Sequence, residues 1–164
     1  MRAVSLKHLL RFAAVLLVFG VSVVHADTEY TAKIKTAMAA MKADASKLGA
    51  PKLEGDALVF GTTKINNNFQ LVDALKTKFG GTATFFVKKG SDFVRVSTNV
   101  LKDGNRAVGS KLDPAGPAMA AIRQGNPYYG IVDILGKLYD TGYEPIKSEK
   151  GETIGIYYTG YLME

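Results

Sequence analysis

Residues 80–100 read GGTATFFVKKGSDFVRVSTNV, and this stretch decides the fold because it has the pattern of a β-hairpin. A turn at residues 89–91 separates two runs that are rich in β-branched and aromatic side chains. Successive side chains of a strand point to opposite faces, so Arg95 is predicted on the face opposite the neighbouring valines. The residues predicted to share its face are Phe93, Ser97 and Asn99. The valine face packs, whereas a charge in the middle of a strand needs an explanation.

Helix patterns precede the hairpin and strand patterns follow it. Apolar residues at three- and four-residue spacing predict an amphipathic helix over residues 28–48, and a second helix after residues 66–68 that ends at Gly80. The remaining predicted elements are a strand at 56–65, a polar connection at 101–117, a short helix at 118–124, and strands at 128–135, 137–147 and 153–162.

This order of elements predicts one α+β domain, in which a long N-terminal helix packs on a central antiparallel sheet of about five to six strands. No internal repeat, low-complexity segment or interdomain linker interrupts it. We expect the domain to span residues 27–164.

The first 26 residues have the three-part layout of a secretory signal peptide. Basic residues come first, an apolar run follows at 12–24, and Val24-His25-Ala26 precedes Asp27. The run is shorter than the roughly 20 residues of a membrane-spanning helix, so an uncleaved anchor is the weaker alternative. We expect removal of residues 1–26 and a periplasmic protein.

The composition of the remaining chain excludes most catalytic chemistry. Both histidines, His8 and His25, lie in the signal segment, and the chain has no cysteine. Without them no Ser-His-Asp or Cys-His nucleophile, no zinc site of the usual kind, no haem ligand and no disulfide can form. We therefore expect no enzyme activity, no metal and no cofactor.

Charge gives no support for nucleic acid as a partner. The formal net charge is +6, and three basic residues and no acid leave with the signal segment, so +3 remains. The remaining basic residues are scattered among acids and form no stripe.

Several segments together resemble the Cache family of extracytoplasmic sensor domains. They are the hairpin with FVRVST at 93–98, RAVGS at 106–110 and YEPI at 143–146. More narrowly, the chain is similar to the single-Cache type, called the Cache 3/Cache 2 fusion, of the periplasmic part of methyl-accepting chemotaxis receptors and sensor kinases. The resemblance covers about residues 58–161.

The resemblance implies a PAS-like fold with a small-molecule pocket between the second face of the sheet and the connecting loop. It also implies a small organic anion as ligand, such as acetate or a related carboxylate. Family receptors usually carry two membrane helices and a cytoplasmic signalling module, whereas this chain resembles the sensor domain without the transmitter, and a membrane sensor is a candidate partner.

The candidate ligand-binding residues follow from the resemblance and from their chemistry. Arg95 is the chief cationic contact, because a buried guanidinium needs an anionic partner, and Arg106 is expected on the loop above it. A protein carboxylate is the rival partner, and a solvent-facing arginine is the commoner case for a lone strand arginine. Aromatic and hydroxyl side chains would form the walls; these are Ser97, Phe93, Phe86, Tyr128, Tyr139, Thr141 and Tyr143.

Three alternatives stay open in the sequence. Asp140 and Glu144 share the face opposite Tyr139, and we expect a solvated edge there rather than a catalytic pair. A protein-interaction or inhibitor module on a similar helix-on-sheet scaffold would have an exposed apolar patch and no enclosed cavity. The apolar stripe of the N-terminal helix fits either its own sheet or a homodimer.

Overall fold

The computed structural model describes residues 28–163, and the predicted signal peptide, residues 1–26, lies outside them. The elements of the described chain, in order, are α1 (Thr31–Ser46), β1 (Pro51–Glu54), β2 (Ala57–Phe60), β3 (Thr63–Lys64), α2 (Gln70–Phe79), β4 (Thr82–Lys89), β5 (Asp92–Thr98), β6 (Leu101–Lys102), β7 (Asn105–Arg106), α3 (Pro117–Arg123), β8 (Tyr128–Ile134), β9 (Lys137–Lys147) and β10 (Thr153–Leu162). None of the helices in this part of the chain is long and apolar enough to cross a membrane.

Five strands form one antiparallel sheet in the order β5-β4-β10-β9-β8. The predicted hairpin supplies β4 and β5, and the predicted meander supplies β8, β9 and β10. Together with the helices this confirms the predicted α+β fold. The predicted single strand at residues 56–65 is instead part of a separate three-stranded sheet, β1-β2-β3, whose first strand the sequence pattern did not reveal.

Helices α1 and α2 cover one face of the main sheet. Every third or fourth residue of α1 is buried, and α2 ends where Gly80 takes a left-handed conformation with φ of 78°. Helix α1 lies so close to β9 that a Cβ on Gly142 would meet Ile34 at 2.9 Å. The apolar stripe of α1 therefore packs on its own sheet, which is one of the two predicted uses of these residues.

The other face of the sheet carries a second apolar cluster under α3 and the loop at residues 107–116. This loop runs along the outer edge of β5, where the backbone N–H groups of Gly109 and Leu112 donate to the carbonyls of Arg95 and Phe93 at 2.9 Å each. The edge strand is thus covered rather than open.

A β-bulge in β5 changes which residues face that second cluster. Phe86 lies opposite Arg95 while Phe85 lies opposite Ser97, so Val96 is an extra residue on its strand. Beyond the bulge the side chains change faces, and the Ser97 hydroxyl donates to the carbonyl of Asn68 on the helix side at 2.6 Å. The prediction that Ser97 and Asn99 share the face of Arg95 is therefore wrong.

Candidate ligand-binding cleft

A cleft of about 560 Å³ opens on the sheet face that α3 covers. One wall is the loop and first turn of α3, within residues 111–118, and the other is the end of β8 with the following turn, residues 131–135. Arg95 from β5 and Tyr143 from β9 line it from the sheet. We call this the Arg95 cleft. Its size lies in the range of pockets that enclose small organic ligands.

Arg95 is buried, with 3 % of its surface exposed, and its guanidinium lies over the ring of Phe86 at 4.9 Å. Nη1 donates to the hydroxyl of Ser110 at 2.9 Å and to the carbonyl of Lys111 at 3.4 Å. Nε is buried with no acceptor. Within residues 28–163 Nη2 donates no hydrogen bond, and no carboxylate forms an ion pair with this guanidinium.

The electrostatics of Arg95 follow from its burial. Removal from water lowers the pKa of the guanidinium below its usual value, while the nearby Tyr143 and Tyr158 act in the opposite direction. An arginine stays protonated in proteins all the same. The sheet therefore places a positive charge in an apolar setting without a negative partner in the described chain.

Tyrosines form a column beside this arginine. The ring of Tyr143 lies 4.9 Å from that of Tyr158 and 6.4 Å from that of Tyr128. Burial raises the pKa of both Tyr143 and Tyr158, so both hydroxyls stay neutral donors. The Tyr158 hydroxyl lies 3.0 Å from Thr82 Oγ1, whereas that of Tyr143 has no hydrogen-bond partner within residues 28–163. Tyr143 thus brings an unused donor to the cleft.

The structure brings most of the predicted site residues to this face of the sheet. Arg95 and Tyr143 line the cleft itself. Thr141 lies on the same face, but its hydroxyl donates to the carbonyl of Gly130 at 2.6 Å. Three further predicted residues, Phe86, Phe93 and Tyr139, belong with Tyr143 to the apolar cluster on this face, and Tyr128 packs against that cluster.

Two predicted site residues lie elsewhere. Ser97 faces the helix side because of the bulge described above. Arg106 forms a two-pronged ion pair with Asp73 of α2, both contacts at 2.8 Å, and donates to the carbonyl of Thr98 at 2.8 Å. Its guanidinium also lies 4.3 Å from the ring centre of Phe69. The loop that carries Arg106 does pass Arg95, but the structure does not place Arg106 in the cleft.

Four polar residues at the cleft received no role from the sequence, namely Ser110, Lys111, Asp113 and Asp133. Ser110 holds the Arg95 guanidinium, and it lies in the RAVGS segment that carried the family resemblance. Asp113 and Asp133 line the cleft, and each accepts a nearby backbone N–H, from Ala115 at 3.0 Å and from Gly136 at 2.8 Å. From the sequence alone, an aspartate next to a turn predicts the turn and gives no sign of a ligand-binding role.

Asp140 and Glu144 of β9 lie on the face of the sheet opposite the Arg95 cleft, as the alternation of side chains predicted. Asp140 is 3 % exposed and accepts the hydroxyl of Thr28, so the expected solvated edge is wrong for this residue. Glu144 accepts Lys42 and the hydroxyl of Tyr129, both at 2.5 Å. Within the described residues no three acidic or histidine side chains are grouped to hold a metal ion. Neither carboxylate belongs to the Arg95 cleft.

Comparison with known proteins agrees with this architecture. The family model of the Cache 3/Cache 2 fusion domain matches residues 21–164. No curated protein matches the chain. Cache domains are extracytoplasmic modules that sense small molecules, sit in membrane sensors and are generally not catalytic. On its match and its fold, the chain belongs to the Cache 3/Cache 2 fusion family and is a single small-molecule-sensing Cache domain.

Proposed function

We propose that the chain binds a small organic anion, a short carboxylate such as acetate or a related acid, in the Arg95 cleft and catalyses no reaction on it. One observation carries this proposal. Arg95 is buried at a cleft wide enough for a ligand, and no carboxylate of residues 28–163 pairs with it.

A buried charge raises the free energy of the folded protein. A buried ion without a partner costs several kcal/mol, and a partner of opposite charge recovers much of that cost. An incoming carboxylate would meet Nη2 of Arg95, the terminal nitrogen without an acceptor in the described chain, and the hydroxyl of Tyr143. Nη1 donates to Ser110, whereas Nε and Nη2, whose N–H groups lie on the same side of the guanidinium, have no acceptor in the described chain and are the pair that a two-pronged contact would use.

The walls of the cleft also carry charges. Asp113 and Asp133 line it together with Lys111, so a second negative charge on the ligand would be repelled close to the two aspartates. The volume of the cleft also exceeds what an acetate ion fills. Acids of two to five carbons, with and without an amino group, are therefore the appropriate test panel.

Thermal unfolding with this panel tests the proposal. An acid present at about a hundred times its dissociation constant stabilises a protein by about 2.7 kcal/mol, which is on the order of 5–10 °C in Tm for a domain of this size. We expect such a shift in the wild type and none in Arg95→Met. The matched control is Arg123→Gln, which removes the same charge from an exposed position on α3. Absence of any shift in the wild type over the whole panel would contradict the proposal.

We further propose that residues 1–26 are a cleaved signal peptide, that the domain works in the periplasm, and that a membrane sensor reads its occupied state. The intact mass of protein purified from the periplasm measures the first point, since cleavage after Ala26 leaves Asp27 as the first residue. A mass that includes residues 1–26 would indicate a retained anchor instead.

A further inference from the structure

We propose that Arg106 is a positioning residue for the Arg95 cleft, because its ion pair with Asp73 fastens the loop that orients the Arg95 guanidinium. The inference rests on the proposed function only in treating the cleft as a binding site. A series of contacts supports it. The series begins on α2, on one face of the sheet, and ends at Arg95 on the other face.

The first part of the series fixes the start of the loop. Both terminal nitrogens of Arg106 contact the carboxylate of Asp73 at 2.8 Å, and Nη1 also donates to the carbonyl of Thr98 at 2.8 Å. A two-pronged contact of this kind fixes orientation as well as distance. The next residue, Ala107, donates its backbone N–H to the carbonyl of Val100 at 2.9 Å. The chain thus enters the loop in a defined direction.

The second part transmits that direction to Arg95. The carbonyl of Ala107 accepts both the backbone N–H of Ser110, at 3.2 Å, and the hydroxyl of Ser110, at 2.6 Å. Because this hydroxyl donates to Ala107, its lone pairs are left to accept from Nη1 of Arg95 at 2.9 Å. The backbone N–H of Arg95 also donates to the carbonyl of Ser110 at 2.9 Å. The Ser110 hydroxyl is therefore oriented toward Arg95 by Ala107, the residue that follows Arg106, while backbone hydrogen bonds to β5 hold the loop alongside the strand.

Between residues 99 and 110 of the described chain, the Arg106–Asp73 pair is the one side-chain ion pair, and it attaches the loop to α2. The pair is partly exposed, with 34 % and 46 % of the two side chains accessible. Its loss should loosen the loop rather than unfold the domain.

Chemical modification of arginine by phenylglyoxal tests the inference without any ligand. Peptide mass mapping would measure the rate at which Arg95 is labelled, and hydrogen exchange would measure opening at the amides of Gly109 and Leu112. In Asp73→Asn and in Arg106→Gln we expect both rates to rise about three- to fivefold over wild type. The double variant should add little to either single one, because both substitutions remove the same contact.

The matched control is Lys42→Gln, which removes the Lys42–Glu144 ion pair on the far side of the sheet and should change neither rate. Equal labelling of Arg95 in wild type and in both loop variants would overturn the inference. An equal rise in Lys42→Gln would do the same, since it would show general loosening instead of positioning.

A ligand arm separates this inference from the proposed function. If acetate or another acid of the panel stabilises the wild type, Arg106→Gln should need a several-fold higher concentration for the same shift, and Lys42→Gln should not. If no acid stabilises the wild type while Arg95 labelling still rises in the loop variants, the proposed ligand is wrong and the positioning role of Arg106 stands.

Discussion

The described chain contains two arginines that are held in similar ways and compensated in different ways. Arg95 lies over the ring of Phe86 and Arg106 over the ring of Phe69, and each donates to a backbone carbonyl. Arg106 also has a carboxylate at 2.8 Å, whereas Arg95 has only the neutral hydroxyl of Ser110. The two arginines therefore differ in whether a negative partner compensates the charge.

The depth to which each arginine is buried gives this difference its meaning for function. Arg95, the more deeply buried of the two, has the weaker compensation, which is the reverse of what stability alone would favour. An arginine that acts through an internal ion pair resembles Arg106. An arginine that is left without its counter-charge beside a cleft is suited to receive one from outside.

The largest expected effect comes from giving Arg95 the kind of partner that Arg106 has. Ser110→Asp places a carboxylate where the hydroxyl now accepts Nη1, and a charge-assisted hydrogen bond contributes about 1.5–3 kcal/mol. We expect a more stable protein in urea unfolding that no longer responds to the acid panel. Ser110→Asn, of nearly equal size and without charge, is the control and should give neither effect. Because an ionised Asp cannot make the hydrogen bond that Ser110 donates to the carbonyl of Ala107, the decisive comparison is with Ser110→Asn, and a Ser110→Asp protein that is no more stable than Ser110→Asn would mean that Arg95 does not lack a counter-charge.

The second effect is the removal of the unpaired charge. Replacement of a buried ion by an apolar side chain of similar length is often neutral or stabilising by about 1–4 kcal/mol, so Arg95→Met should unfold at an equal or higher urea concentration in the absence of ligand. Urea unfolding in acid-free buffer measures this. A marked loss of stability would show that Arg95 serves the fold after all, as Arg106 does.

Much of this fold was predictable, because its signals are local. The spacing of apolar residues placed α1 and α2, and the turn at residues 89–91 placed the hairpin, to within a few residues of their ends. Tyr143 was placed correctly on the face of Arg95 because the alternation in β9 is uninterrupted up to that residue.

The rest depends on contacts that a single sequence does not display. The alternation around Val96 is regular, and nothing in it marks the extra residue that turns Ser97 to the helix side. The partner of Arg106 is Asp73, 33 residues earlier on another element, where it resembled any exposed helix carboxylate. The residues next to Arg95 and Arg106 in the sequence do not show which of the two arginines has a carboxylate partner.

The third effect is smaller because the pair concerned is partly exposed. Arg106→Gln should lower the free energy of unfolding by about 0.5–1 kcal/mol, in the upper part of the range for surface ion pairs, since the contact is two-pronged. Urea unfolding at low and high salt measures this loss. The difference from wild type should shrink at 1 M salt, where exposed pairs are screened. A salt-independent loss would instead assign the effect to packing on Phe69.

The smallest expected effects on stability come from removing the hydroxyls of the two buried tyrosines beside Arg95, and the two substitutions should differ. Tyr143→Phe removes a hydroxyl that has no hydrogen-bond partner within residues 28–163, so ligand-free stability should change by less than about 0.5 kcal/mol. Tyr158→Phe removes a hydroxyl that is bonded to Thr82, and should cost about 1 kcal/mol.

The response to acids should show the opposite order, because only Tyr143 lines the cleft. We expect the dissociation constant of a bound acid, measured by calorimetric titration, to rise about fivefold in Tyr143→Phe, as befits the loss of one hydrogen bond to a carboxylate. It should not change in Tyr158→Phe. If both variants weaken the acid equally, the tyrosines act by packing around Arg95, and the anion is held by the guanidinium alone.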